Sequence, residues 1–95
     1  MALNRQKLID EAQWAIEHQQ LDRAIRAYKT LNDAQPSDVR VALKLAELYL
    51  RTHARKEAIE IYLKLLRAYQ NHDNTKKADA ICALILKLSP ENIEA

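Results

Sequence analysis

Apolar residues recur along most of the chain at spacings of three and four, which is the period of an α-helix with one buried face. Between residues 38 and 52, for example, Val41, Leu45 and Leu48 fall on one side of a helix. Short polar or proline-containing stretches interrupt the pattern four times. The pattern predicts five helices, near 4–18, 21–34, 38–52, 55–71 and 75–88.

The breaks between these segments are short and chemically suited to ending helices. Pro36 pushes the residue before it out of helical space, and Ser37 or Asp38 can cap the helix that follows. Links of only a few residues force consecutive helices to lie antiparallel. With 95 residues, the chain is long enough for one core. We therefore expect a single all-α domain, 1–95, built from helical hairpins.

The sequence also repeats itself. When it is shifted so that position 12 falls on position 46, small, aromatic and aliphatic residues of the first half align with identical ones in the second half. The matched pairs are Ala12 with Ala46, Ala24 with Ala58, Ile25 with Ile59, Tyr28 with Tyr62, and Leu31 with Leu65. Glu11 breaks the match, because it falls on the apolar Leu45.

A helix–turn–helix unit with a 34-residue period resembles the tetratricopeptide repeat family. The resemblance implies a right-handed superhelical stack of antiparallel hairpins, with repeats near 5–38 and 39–72 and a third, overlapping match at 59–92. The glycine that the family places in its inter-helix turn is replaced by Gln19, His53 and Asp73. The positions where the resemblance implies helix contacts are Ala12, Ala24, Tyr28, Ala46, Tyr49, Ala58, Tyr62, Ala78 and Cys82.

Composition limits the possible partners. The net charge is only +2, with 15 basic and 13 acidic residues well mixed, which predicts no nucleic-acid or anionic-lipid surface. No apolar run approaches the roughly 20 residues that a membrane-spanning helix needs, so we expect no membrane insertion. The only cysteine, Cys82, has no internal partner, and a reduced cytoplasmic location is the natural expectation.

Candidate catalytic and metal-binding residues are few. His18, His53 and His72 fall at helix ends or in loops without the spacing of metal ligands. Cys82 is surrounded by apolar residues and lacks a neighbouring base, so we interpret it as an inert core thiol. Since the chain has no glycine, a phosphate-binding loop is excluded as well. The sequence predicts no catalytic residue, metal or cofactor, and hence no enzyme.

Relatives that the chain resembles use the concave face formed by their first helices to bind a peptide or helix of a partner protein. Some chaperone-binding relatives hold a terminal carboxylate with Lys and Asn at positions occupied here by Ile9 and Gln13, so we do not expect that mechanism. The groove residues implied by the resemblance are Gln6, Ile9, Gln13, Ile16, Glu17, Arg40, Leu43, Lys44, Glu47, Leu50, Arg51, Leu63, Arg67 and Gln70. Among them, Ile9, Ile16, Leu43 and Leu50 form an apolar stripe that core packing does not obviously require.

Two features at the ends of the chain leave alternatives open. Trp14 either packs between helices or forms a contact on the open N-terminal side. The last helix is apolar around most of its circumference, whereas a terminal repeat helix usually shows water a polar face. Either the chain is part of a longer array, or the last helix covers a partner or a second copy in a homo-oligomer. The residues expected at such an interface are Ile81, Leu84, Leu86 and Leu88.

Overall fold

The computed structural model describes residues 4–88, which form five α-helices joined by short connections. Their bounds lie within one residue of the predicted ones, and the prediction of an all-α fold is confirmed. The helices are α1 (Arg5–Glu17), α2 (Leu21–Ala34), α3 (Val39–Arg51), α4 (Arg55–Asn71) and α5 (Thr75–Leu88).

Two helices begin at a capping side chain. The Asn4 side chain accepts a hydrogen bond from the backbone N–H of Lys7 at 3.0 Å, and Asp38 accepts one from Val41 at 3.4 Å. Each bond satisfies a backbone donor that has no partner inside the helix. Of the two predicted caps of α3, the structure therefore selects Asp38 over Ser37.

Three of the four connections are the same tight turn. Gln19, His53 and Asp73 each adopt a left-handed backbone, with φ of 61°, 64° and 55°. In each turn the next residue donates its N–H to a carbonyl five positions earlier, at distances between 2.7 and 2.8 Å. This geometry usually favours glycine at the left-handed position. Those three residues are the ones that replace the expected turn glycine, so the backbone conformation persists without it.

The connection between α2 and α3 differs, since it runs through Pro36 without a left-handed residue. The α4–α5 turn therefore matches the turns within the first two hairpins and not the link between them. The overlapping third repeat, in which α4 belongs to two hairpins, stays a prediction. The bounds of that repeat, 59–92, reach beyond the described residues.

Consecutive helices pack side by side, and α-carbons of different helices come within 8 Å only between neighbours in sequence. Two buried clusters result, and α3 contributes to both. Val41, Leu45 and Leu48 of α3 face α1 and α2, whereas Ala42 and Ala46 face α4 and α5. A stack of this kind has a long exposed surface, because no helix is enclosed on all sides.

Alanines allow the hairpin helices to approach closely. Ala12 of α1 and Ala24 of α2 are completely buried in the first cluster, and Ala58 and Ala78 are buried in the second half of the stack. Tyr28 and Tyr62 fill the space beside them and are each 5% exposed. Enlarging one of these alanines would overpack the contact, at a cost of about 1–3 kcal/mol.

Candidate functional site

A shallow groove of about 390 Å³ separates α1 from α3. Tyr28 of α2 lines it together with residues of both flanking helices, including Val41 on α3. Four of the residues predicted to face a partner line this groove, and they combine one apolar side chain with polar and basic ones. They are Ile9, Gln13, Arg40 and Lys44.

Arg5 closes one end of the groove. Its guanidinium forms an ion pair with Asp38 and donates a second hydrogen bond to the Gln35 Oε1 atom at 2.6 Å. The two bonds tie the start of α1 to the connection that precedes α3. Burial acts to raise the pKa of Asp38, but bonds from Arg5 and from the backbone of α3 outweigh it, so this pKa lies below its usual value. Asp38 thus serves as a helix cap and as an ion-pair partner.

The exposed face of α3 carries a row of charges. Arg40, Lys44, Glu47 and Arg51 are exposed and follow one another at spacings of four, three and four residues, so they lie on one side of the helix. We call these four residues the α3 stripe. With a rise of about 1.5 Å per residue, the stripe is about 16 Å long. Neither of the two ion pairs among residues 4–88 involves a member of it.

Glu47 lies close to two buried tyrosines. Burial raises the pKa of Tyr28 and of Tyr62, and the negative charge of Glu47 raises both further. Since Tyr28 belongs to α2 and Tyr62 to α4, the charge of this carboxylate acts on one tyrosine of each hairpin.

The predicted apolar stripe needs correction. Ile9 and Ile16 pack against the first buried cluster, and Leu50 packs against the second. Only Leu43, at 37% exposed, leaves a large part of its surface to solvent. The expectation that core packing does not require these residues is therefore wrong for three of the four. Helix periodicity could not separate them, because the flank of a solenoid helix is half core and half surface.

The other predicted groove residues lie outside the α1–α3 groove. Leu63 packs against the second cluster. Gln6 donates a hydrogen bond to Asp10 at 2.9 Å on the exposed side of α1. Three more are exposed but do not line this groove, and they are Glu17, Arg67 and Gln70.

A second cleft, of about 370 Å³, lies between α2 and α4 and was not predicted. Its apolar wall includes Ile61, Leu65 and Ala68, which follow one another along α4 at helical spacing. This spacing was visible in the sequence, but it is equally typical of core packing. The polar residues at the cleft are Asn32, Asp33, Ser37, Lys64 and His72.

Trp14 lies at the outer side of the first hairpin and is 43% exposed. Its ring stacks on that of His18, with 4.0 Å between centroids and 20° between planes. The Arg23 guanidinium lies 5.2 Å from the Trp14 ring and also pairs with Glu11, at 3.4 Å between Nη2 and Oε1. Trp14 thus contacts α2 through Arg23 and still exposes much of its surface.

The expected interface on α5 also needs correction. Ile81 is 6% exposed and belongs to the second buried cluster, so it is a core residue, and Leu88 is half-buried against the same cluster. Leu84 and Leu86 are 38% and 44% exposed, but their separation along the helix places them about 160° apart around the axis. They therefore lie on opposite flanks and do not form one patch. Cys82, expected in the core, is half-buried.

Metal-binding and membrane-spanning features are lacking in the part of the chain that the structure describes. Residues 4–88 contain no group of three His, Cys, Asp or Glu side chains that could hold a metal ion. His18, His53 and His72 are all exposed. None of the five helices combines the length and the apolar character needed to cross a bilayer.

The chain matches a known protein family. A family model described as tetratricopeptide repeat matches residues 15–85, from the middle of α1 to near the end of α5. No curated protein sequence matches the chain.

Proposed function

Because this chain belongs to the tetratricopeptide repeat family, we propose that it is a non-catalytic adaptor that docks a peptide or helix of a partner protein. Domains of this family generally mediate protein–protein interaction. The groove between α1 and α3 is the surface that best supports the proposal. A cytoplasmic location is part of the same proposal, in keeping with a lone thiol and a balanced charge.

The observation that carries the proposal is the chemistry of this groove. Ile9, Tyr28 and Val41 contribute apolar or aromatic surface, while Arg40 and Lys44 stand at the rim. A segment of a partner could bury one apolar side chain among the first three and pair charges with the other two. An apolar groove with a charged rim is the arrangement by which helices and extended peptides are recognised.

The test is a selection from a random peptide library on the immobilised chain, followed by binding to two variants. Ile9→Glu places a charge inside the groove and is expected to abolish binding of the selected peptides. Gln70→Glu adds the same charge at an exposed position outside the groove and is the matched control. Circular dichroism verifies that both variants stay folded.

Mapping by NMR completes the test. Peptide-induced shift changes are expected on α1 and α3. Peptides that bind Ile9→Glu as well as the original chain, or that shift residues of the α2–α4 cleft instead, would contradict the groove assignment.

A second candidate function is self-association through α5, favoured by the exposure of Leu84 and Leu86. Since these leucines lie on opposite flanks, only one of them can face a given second copy. Sedimentation velocity over a range of concentrations tests this candidate. A dimer that Leu86→Glu or Leu84→Glu dissociates supports it, and a monomer mass at every concentration rules it out.

A further inference from the structure

We infer that the partner segment is an acidic amphipathic helix that lies antiparallel to α3 and pairs its charges with the α3 stripe. This inference rests on the proposed docking function and adds the chemistry of the partner. Its basis is the order of charges along the stripe, which is positive, positive, negative and positive at residues 40, 44, 47 and 51.

Within residues 4–88, the three basic residues of the stripe have no ion-pair partner. Arg5, the other basic residue at the groove, is held by Asp38 and Gln35. Arg40, Lys44 and Arg51 form no ion pair with any residue between 4 and 88. Three exposed cations along one side of a helix attract carboxylates and disfavour basic segments.

Glu47 also determines how the partner helix is aligned along the α3 stripe. It interrupts the row of cations, so a uniformly acidic segment would place one of its carboxylates against that of Glu47. A partner that matches all four positions carries a basic residue there. The tyrosines near Glu47 do not neutralise it, since a tyrosine side chain carries no positive charge.

A helix fits the stripe better than an extended strand does. Two helices that lie side by side share a rise of about 1.5 Å per residue, so charges spaced by four, three and four residues meet at every position. An extended segment rises about 3.3 Å per residue and would pass the stripe within about five residues. In an antiparallel pair the positive end of each helix dipole also lies beside the negative end of the other, which is favourable.

An exposed leucine beside the α3 stripe supplies the apolar part of the contact with the partner helix. Leu43 is 37% exposed and lies between Arg40 and Glu47 along the helix. An apolar residue of the partner at this level would cover it. The partner helix therefore has acid, base, acid and acid at positions i, i+4, i+7 and i+11, with leucine at i+8.

The probe is a synthetic helical peptide with this pattern in a background of alanine and glutamine, made about five helical turns long so that it spans the stripe. Its counterpart carries the inverted charges: base, acid, base and base. Fluorescence anisotropy measures binding of each labelled peptide to the whole 95-residue chain. We expect the designed peptide to bind at least tenfold more tightly than the inverted one, and to lose affinity as salt is raised above about 0.15 M.

Charge exchange on both sides identifies the register. Lys44→Glu is expected to weaken the designed peptide about five- to tenfold, and replacing the acid at i+7 of the peptide by lysine is expected to restore binding to within about twofold. Arg26→Glu, which makes the same charge change on an exposed position of α2, is the control and should change affinity less than twofold. Circular dichroism shows whether each variant is folded.

Two results would overturn the inference. One is equal binding of the designed and inverted peptides. The other is a loss on Lys44→Glu that the compensating peptide does not restore.

The library experiment separates this inference from the docking function itself. If library-selected peptides depend on Ile9 but lack the charge pattern, the docking function stands and the acidic-helix inference fails. If no peptide depends on Ile9, the assignment of docking to the α1–α3 groove fails first.

Discussion

The two ends of the helix stack meet solvent in different ways. In α3, the residues that pack against α2 are Val41, Leu45 and Leu48, and none of them is more than 5% exposed. The residues 34 positions earlier on α1 face outward, where no described helix covers them. These residues are Lys7, Glu11 and Trp14.

The outer side of α1 is adapted to water. Glu11 pairs with Arg23, and the Trp14 ring is partly covered by His18 and Arg23. Polar groups therefore accompany even the one large apolar side chain on this surface. The mismatch of Glu11 with Leu45 is explained by position, because the same place in the repeat is outside in α1 and inside in α3.

The outer side of α5 has no such adaptation. Leu84 and Leu86 remain 38% and 44% exposed, and neither ion pair of the described chain lies on this helix. The repeat pattern therefore sets which positions point out of a hairpin, and the presence or absence of a neighbouring helix determines whether a charged residue is tolerated there. Substitutions at matched positions of the outer and inner helices test this difference.

Exchanging the mismatched pair has the largest expected effect. Leu45→Glu places at an interior position the residue that α1 carries naturally at its surface, and Leu45 is 2% exposed. A carboxylate buried without a partner costs about 4 kcal/mol or more, a large part of the roughly 5–15 kcal/mol typical of a domain. Urea denaturation followed by circular dichroism should place the unfolding midpoint at a much lower urea concentration than in the original chain.

The reciprocal change, Glu11→Leu, is the control for the exchange. It removes a surface ion pair worth about 0–1 kcal/mol and is expected to leave the free energy of unfolding nearly unchanged. Equal destabilisation by the two substitutions would contradict the distinction between outer and interior positions.

The next largest effect on the free energy of unfolding is expected when Tyr62 is truncated to alanine and compared with the same truncation of Cys82. Tyr62→Ala removes a ring that is 5% exposed and should cost about 3–5 kcal/mol. In the predicted third repeat Cys82 holds the same position, but it is half-buried, so Cys82→Ala should cost less than about 1 kcal/mol. Thermal and urea unfolding measure both. Comparable losses at the two positions would mean that α5 is packed as tightly as the interior.

A pH-dependent effect of intermediate size is expected at the junction of α1 and α3. Because the pKa of Asp38 is lowered in the folded protein, its carboxylate stabilises the fold above the ordinary value of about 3.9, and this stabilisation is lost as pH falls below it. Asp38→Asn keeps a capping oxygen and removes the charge. At pH 7 this variant should be less stable than the original chain by about 1 kcal/mol, the size of one hydrogen-bonded ion pair. At pH 2.5 the difference should be smaller, because its charge-dependent part is lost as pH falls through the lowered pKa of Asp38.

Asn4→Ala provides the matched control for Asp38, because it removes a cap that does not titrate. Its cost of about 1 kcal/mol should be the same at both pH values. Urea unfolding curves that coincide for Asp38→Asn and the original chain at pH 7 would show that the Arg5 contact does not stabilise the folded carboxylate.

The smallest effect is expected on the outer flanks of α5. Leu84→Gln and Leu86→Gln replace exposed residues and should change the free energy of unfolding by less than about 0.5 kcal/mol each. Differential scanning calorimetry on dilute protein measures this. A loss as large as that of a core leucine, about 2 kcal/mol or more, would mean that the side chain is buried by a contact that the isolated stack lacks.

By itself, the sequence determined the helices, the breaks between them and the family, and it left Ser37 and Asp38 as alternative caps of α3. These are local properties: the spacing of Leu45 and Leu48, the proline at position 36 and a capping side chain before α3 act within a few residues of chain. Gln19, His53 and Asp73, which adopt the left-handed backbone, were marked in the sequence as the residues that replace the turn glycine of the family that the chain resembles.

Only the tertiary structure decided which residues on the sides of each helix are covered by a neighbouring helix. Ile9, Ile16 and Leu50 look identical to Leu43 in periodicity, but three pack on a core and one does not. Periodicity likewise did not distinguish the buried Ile81 from the exposed Leu84, and it did not reveal the cleft between α2 and α4. The physical reason is that burial depends on the neighbouring helix, whose crossing position is set by contacts between residues far apart in sequence.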